Sequence, residues 1–464
     1  MSIFNSDLTA EEINSALKDG DGAVHFIGAL GSGMLPLAEL MHGRGYRVTG
    51  SDKRAGESGS LRYGFSIKNG ESSVPQDVKL AVYSLAIDES DAQILALRSR
   101  GVRLISRAQL LGALMSEKSV RVSVSGSHGK STTTALIDHI LHCAGRDPVT
   151  VSGATLHDGE SYRDGLGDVF VAEACEYKDS FLRLCPTHQI ITGVELDHTD
   201  YFHSLNDIRS SFLKAASMAQ TAIINADDKV ASDIASEIKE KTRVRVITYG
   251  KRKGCDYRLT KAERTADKYE IVIMTPRGEL KLESLLIGEF NLMNITAAVT
   301  LAQLLGVSDE SIACAVFSFR GIERRLSLIA NVGGRDVYYD YAHHPSEISA
   351  VIDALKERYG SLTVIFRPHT YSRTKSLWQD FIAALSKADF TILLDIYPAR
   401  EKSIKGITSK NLALAIGERA VHLDGGSACE QALKLGSSAI AVLGAGEVDG
   451  VIADFKNKAK EKGE

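Results

Sequence analysis

Cysteine is scarce in this 464-residue chain, with six residues at 143, 175, 185, 255, 314 and 429 and no C-x-x-C pair among them. That scatter implies neither a disulfide framework nor a thiolate metal site, and reduced thiols in a cytoplasmic protein are the simpler expectation. Nowhere do eighteen apolar residues run together, so no membrane-spanning helix is expected. The opening stretch M-S-I-F-N-S-D-L-T-A-E-E lacks the basic flank and apolar core of a secretory leader. An excess of positive charge is also missing: 55 Lys and Arg face 59 Asp and Glu, which argues against a nucleic-acid binder. The remainder, 44% apolar and 25% charged, is the composition of soluble globular protein, and the length suggests two to four domains.

The most informative stretch is 122–134, V-S-V-S-G-S-H-G-K-S-T-T-T. Four β-prone residues run into Gly126, and an apolar helical stripe (Leu136, Ile137, Ile140, Leu141) follows. A strand feeding a glycine turn that opens a helix aims several backbone N–H groups and the positive end of the helix dipole at one spot. Gly126, Ser127, His128, Gly129, Lys130, Ser131 and Thr132 therefore read as a triphosphate cradle, with Lys130 supplying charge and Ser131 a hydroxyl suited to magnesium. Val124 occupies the place of the usual first glycine, five positions before Gly129, so this loop is a shortened one. An ordinary glycine turn before a buried helix is the alternative, and Gly-Lys-Ser-Thr at a strand–helix junction disfavours it. ATP is the expected ligand.

Upstream, Thr9 with Glu12 marks a capping box opening a helix over 10–18. A buried strand at 24–27, the glycines Gly28, Gly31 and Gly33 with Ser32, a helix over 34–42 and a strand at 46–49 leading to Asp52 compose one nucleotide-binding half of a doubly wound sheet. The spacing is G-x-x-G-x-G, not the dinucleotide G-x-G-x-x-G, so the expectation is a phosphate or diphosphate near the helix start, with Asp52 placed for a ribose or base. Close helix–sheet packing is the competing explanation of these glycines. Strands at 80–83 and 102–105 and a helix over 108–115 complete the region, and 116–119 reads as a linker.

Downstream of the phosphate loop, a buried strand at 168–172 lands on Glu173, with Glu176 and Asp179 beyond, and a strand at 189–194 runs into Glu195, Asp197 and His198. Ligands in open parallel sheets sit beyond the carboxyl ends of the strands, so Glu173 and His198 are expected beside the phosphates, where hard oxygens plus an imidazole suit magnesium. A further strand is expected at 222–225. Alternating runs at 244–249, 269–274 and 280–286 read as a small antiparallel excursion without chemistry. Asn291 and Asn294 lie three apart on one helical face and could offer amides to an adenine edge; taken alone, an N-cap plus a surface amide is the simpler explanation. Further strands at 337–340, 362–366, 391–394 and 439–443 each end in a polar cluster: Tyr341, His343 and His344; Arg367, His369 and Arg373; Asp395 and Tyr397; Gly444. Pro345 should open a helix whose apolar stripe is Ile348, Val351, Ile352 and Leu355, ending at Gly360.

Taken together, G-S-H-G-K-S, E-A-C-E at 173–176, L-D-H at 196–198, N-A-D-D at 225–228, N-x-x-N at 291–294, F-x-G-x-x-R-R at 319–325, D-Y-A-H-H-P-x-E at 340–347 and P-H-x-Y-S-R-T at 368–374 resemble the ATP-dependent Mur ligases of bacterial cell-wall synthesis. The resemblance spans nearly the whole chain. It implies an α/β protein of three domains. These are a Rossmann-like UDP-substrate domain over 1–117, a P-loop ATPase-type domain with the antiparallel excursion over 118–325, and a Rossmann-like amino-acid domain over 326–464. It implies a ligase that uses ATP and Mg2+ to join L-alanine to the carboxylate of UDP-N-acetylmuramate through an acyl phosphate, as a monomer or homodimer. Carried over by position, Lys130 and the loop amides would hold the ATP phosphates, and Ser131, Glu173 and His198 would ligate magnesium. Asn291 and Asn294 would reach the adenine, Arg325 the γ-phosphate and Asp340 the nucleotide. Gly28, Gly31, Ser32, Gly33 and Asp52 would meet the UDP substrate. Tyr341, His343, His369 and Arg373 would form the alanine pocket, and His198 or His343 would take the amine's proton. Phe290, Thr370 and Glu447 depart from residues frequent in the family, which bears on selectivity among alanine, glycine and serine. A P-loop kinase or GTPase-like switch would leave 340–347 and 368–374 unused; a nicotinamide oxidoreductase would rest on 24–52 alone, with the wrong spacing.

Overall fold

A computed structural model describes residues 8–55, 64–70, 74–198, 201–265, 268–399 and 401–462. Three sheets, each interleaved with helices, give an α/β architecture. The chain divides into two compact units, Met1–Ser284 with Met293–Phe319, and Leu285–Leu292 with Arg320–Glu464.

The first sheet orders its strands Ser66–Lys68, Val48–Ser51, Ala23–Ile27, Val78–Tyr83 and Arg103–Ser106, all parallel. Ala23–Ile27 is buried at every position, as a central parallel strand covered on both faces requires. The chain moves outward in opposite directions from this strand and from Val78–Tyr83, so a crevice opens at their carboxyl ends, where Gly28 begins its loop. The expected capping box opens Ala10–Lys18, and a second one, Ser106 with Gln109, opens Arg107–Met115.

The central sheet has ten strands. Val120–Ser125 lies between Val169–Glu173 on one side and His188–Ile191 on the other, all parallel. Two sequence expectations need correction here. The run at 244–249 is not antiparallel: Arg245–Gly250 pairs in parallel with Thr221–Asn225, as its buried Ile247–Gly250 half demands. The antiparallel excursion instead consists of Tyr257–Arg264, Tyr269–Thr275 and Gly278–Ser284. The first of these carried no signal, because in Y-R-L-T-K-A-E-R only Tyr257 and Leu259 are buried. The strand expected over 189–194 stops at Ile191, since Thr192 and Gly193 leave the sheet to brace the phosphate loop.

The third sheet orders Ser327–Asn331, Asp336–Asp340, Ala439–Leu443, Leu362–Phe366, Phe390–Leu393 and Ala420–His422; only the first is antiparallel. Phe366, Phe381 and Leu355 pack on one face, and Ile365, Val442 and Phe455 on the other. Pro345–Tyr359 starts and stops as expected, with Gly360 at φ 77°. Among the described residues no helix is long and apolar enough to cross a membrane, and all six cysteines are free thiols.

Candidate functional site

In the first unit, the site is built on the end of Val120–Ser125. Gly126 has φ 140° and Gly129 φ 79°, conformations that favour glycine. A methyl group on Gly126 would collide with the Thr192 hydroxyl, and one on Gly129 with Asn294 Oδ1. The loop is pinned from the neighbouring strand: Ser127 N–H donates to Gly193 O at 2.9 Å, Glu195 N–H to Ser127 Oγ at 2.8 Å, and the Thr192 hydroxyl to His128 O. Gly129 then caps the helix Lys130–Cys143, leaving the first-turn N–H groups directed at the loop.

Lys130 Nζ donates to Gly126 O at 2.5 Å, to Ser127 O at 3.2 Å and to Glu176 Oε1 at 3.2 Å. Burial alone would depress this ammonium, but Glu176, then Cys175 and Glu173, outweigh burial and hold its pKa above the ordinary lysine value. Glu173, the last residue of Val169–Glu173, accepts from Gly153 N–H at 2.9 Å and Ser152 Oγ at 3.3 Å. His198 has φ 52°, its ring centroid is 4.9 Å from that of Tyr177, and its Nε2 is 3.7 Å from Glu176 Oε1. Lys130, Glu176 and His198 thus meet at the strand ends, with Glu173 on the strand flanking the loop; His128 pairs with Glu195 at 3.2 Å beside them. The Ser131 and Thr132 side chains are buried in the first helical turn. Asn294 accepts from Thr133 Oγ1 at 3.2 Å against the underside of the loop.

Around the first sheet, Gly28 has φ 78°, and its N–H and that of Ala29 both donate to Ser51 O. Asp52 accepts from Leu30 N–H at 3.0 Å and pairs with Arg54, so its carboxylate braces the glycine loop. Burial opposes its ionisation, yet Arg54 and the Leu30 N–H keep its pKa below the usual value. Gly31 and Ser32 lie in the turn before the helix Leu35–Gly43, and the Arg107 guanidinium sits where a side chain on Gly33 would come within 3.0 Å. In the same unit a cavity of about 630 Å³ is lined by Leu85, Ser106, Gln109, Lys178, Arg183 and Tyr201.

In the second unit, Asp340 ends Asp336–Asp340 and accepts from Ala342 N–H and Leu326 N–H, each at 2.7 Å. Burial pushes its carboxyl up to about 6, and Arg325 pulls the other way. Arg325 also lies over the Tyr341 ring at 5.5 Å. Tyr341 and His343 have ring centroids 5.5 Å apart, His343 and His369 6.0 Å, and Arg373 Nη1 is 3.3 Å from His369 Nδ1. Tyr397 stacks on His369 at 5.6 Å. Asn291 Nδ2 donates to Ile287 O at 2.8 Å, in the segment just before the helix Glu289–Leu304.

These features coincide with three family profiles in the expected order: the catalytic domain of the Mur ligase family over residues 23–119, the Mur ligase middle domain over 124–302, and the Mur ligase glutamate ligase domain over 324–448. The UDP-N-acetylmuramate–L-alanine ligase of Agathobacter rectalis is 35% identical over 416 residues, 86% of this chain and 88% of its own. That of Clostridium novyi is 36% identical over 425 residues, 88% and 90% of the two chains. The chain belongs to the Mur ligase family. Its fold is that of the UDP-N-acetylmuramate–alanine ligase crystal structure from Thermotoga maritima, with a TM-score of 0.80 at 24% identity over 95% of this chain and all of that one. A murein peptide ligase from Psychrobacter arcticus shares the fold at a TM-score of 0.70 and 21% identity, over 94% and 98% of the chains.

Three residues of this Mur ligase's site region escaped assignment from sequence. Glu176 lies three residues past its strand and was seen only within E-A-C-E, Arg107 directly follows the strand Arg103–Ser106 without a spacing signal, and Tyr397 was visible as a strand-end residue without a partner. Tyr397 is placed by a bridge to His369, a contact that only the tertiary fold supplies.

Proposed function

We propose that this Mur ligase joins L-alanine to the carboxylate of UDP-N-acetylmuramate at the expense of ATP, in peptidoglycan precursor synthesis in the cytoplasm. The observation that carries the reading is the phosphate loop, with a half-buried lysine at a helix start and a carboxylate at the neighbouring strand end, in a chain whose curated relatives bear that ligase name. The domain division 1–117, 118–325 and 326–464 is part of the proposal, and the presence of three sheets supports it.

The loop amides and Lys130 hold the polyphosphate. Ser131, Glu173 and His198 offer a hydroxyl, a carboxylate and an imidazole, a donor set that fits magnesium, which when bound neutralises phosphate charge. Phosphorylation turns the muramyl carboxylate into an acyl phosphate with a good leaving group. Since the carboxylate and the γ-phosphate repel each other, Lys130 and Arg325 serve to spread the developing charge. The alanine amine attacks the acyl carbon and expels phosphate; His198 or His343 takes its proton. Asn294 acts through the loop it supports, and the family resemblance assigns Asn291 to the adenine and Asp340 to the nucleotide. Gly28, Gly31, Ser32, Gly33 and Asp52 shape the UDP end, and the 630 Å³ cavity has room for the sugar. Tyr341, His343, His369 and Arg373 form the alanine pocket, Arg373 pairing the carboxylate.

The test is phosphate release from ATP with each substrate omitted in turn, followed by alanine, glycine and serine. Release that requires UDP-N-acetylmuramate and is fastest with alanine is the expected result. Release without the sugar nucleotide would defeat the reading.

A further inference from the structure

Glu176 has no role in the chemistry above, yet it is the most buried ionisable side chain beside the phosphate loop, at 1% exposure. It follows Val169–Glu173 on the short connection into Tyr177–Arg183, where Lys178 and Asp179 adopt left-handed φ of 51° and 57°. Left-handed backbone is costly for such residues and persists where the surroundings fix it. Here Lys178 Nζ is tied to Leu85 O at 3.0 Å, and Asp179 accepts from the Tyr201 hydroxyl at 2.7 Å and from Ser211. The connection is thereby held, and Glu176 with it.

The carboxylate reaches two groups on different strand ends. Both of its oxygens lie 3.2 Å from Lys130 Nζ, and Oε1 lies 3.7 Å from His198 Nε2. Both oxygens therefore face the ammonium, and a carboxylate this buried is tolerated only beside such a counter-charge.

We propose that Glu176 is a positioning residue that aims Lys130 and His198 at the transferring phosphoryl group by acting as their shared buried counter-charge. The inference rests on the reading of Lys130 as the ATP-phosphate cation. Two consequences with opposite signs follow. A fixed negative charge 3.2 Å from Lys130 Nζ competes with polyphosphate for that ammonium and so weakens nucleotide binding. The same charge holds Lys130 and His198 in place, and small misplacements at a reacting centre cost rate steeply.

The experiment compares wild type, Glu176→Gln and Glu176→Asp for ATP dissociation constant, kcat and melting temperature. The wild-type requirement for both substrates is established first, so a failure of the functional reading is seen separately. Glu176→Gln, which keeps size and removes charge, is expected to bind ATP about threefold to tenfold more tightly while kcat falls roughly tenfold to a hundredfold. Glu176→Asp keeps the charge but withdraws it by one methylene, so kcat should fall with ATP affinity within twofold of wild type. A purely structural carboxylate would instead lower affinity, rate and melting temperature together, and that result overturns the proposal. So does Glu176→Gln with wild-type kcat, or, if that variant does not fold, Glu176→Asp with wild-type kcat.

Discussion

Lys130 and Asp340 are opposite cases of a buried charge. Lys130 keeps its ammonium because the charge of Glu176, with Cys175 and Glu173 behind it, outweighs burial. Lys130→Ala removes the one full positive charge of the phosphate loop; phosphate release is expected to fall at least about a thousandfold, with binding of UDP-N-acetylmuramate within twofold. Near-wild-type release, read by a coupled phosphate assay, would refute its role. Asp340 has only Arg325 and two N–H donors against its burial, and its carboxyl sits at about 6 instead of 3.8. A carboxyl raised in the folded state favours folding below its unfolded pKa, and that contribution is lost as pH climbs through the folded value. Arg325→Ala lifts the folded value further, so the variant should lose about 1–2 kcal/mol more stability at pH 7.5 than at pH 5. Urea denaturation at the two pH values checks this, and an equal loss at both would show that the pair is uncoupled.

At the scale of elements, the strand–loop–helix unit was legible because its physics is local. Glycines at positive φ, a lysine and a hydroxyl leave few other uses for such a turn. Leu362–Phe366 and Ala439–Leu443 match the expected strands at both ends because each is buried throughout, so five apolar residues mark its length. Tyr257–Arg264 and Ser327–Asn331 were invisible for the converse reason: the first is mostly exposed and mixes charge with apolar residues, the second has no fully buried position, so pairing alone defines them. Gly129 tests the loop as a unit. It needs φ 79° and has the Asn294 amide where a Cβ would go. Gly129→Ala is expected to cost about 2–3 kcal/mol and most of the ATP affinity. Adding Asn294→Ala removes the clash but not the backbone strain, so the double variant should regain only part of that stability. Full recovery in a thermal-melt double-mutant cycle would mean that strain contributes nothing.

Across the whole molecule, the alternation of strands and helices announced three α/β layers, but strand order could not be read. Nothing local tells that Val120–Ser125 sits between Val169–Glu173 and His188–Ile191, and that adjacency is what gathers Lys130, Glu176 and His198. Glu176 was noticed only as one more acid past a strand, because its partners come from separate strand ends. The same distribution of buried groups sets the acid response of the two units. In the first, burial lowers His25 and His139 to about 4 and His188 in the same direction. Each is neutral when folded, so its contribution is complete above the unfolded value near 6.5 and is lost as pH falls from there through the folded value. For His25 and His139 that amounts to roughly 2 kcal/mol each by pH 5. In the second unit Asp340 works in the opposite sense, gaining stability as pH falls through about 6. Acidification from pH 7.5 to pH 5 should therefore open the first unit before the second. Hydrogen exchange read by mass spectrometry would show peptides around His25 and His139 losing protection first, while those around Leu362–Phe366 keep theirs. His25→Phe, which removes the titrating ring from a fully buried site, should flatten the response of the first sheet. Earlier opening of the second unit, or an unchanged slope in that variant, would show that these buried groups do not control acid stability.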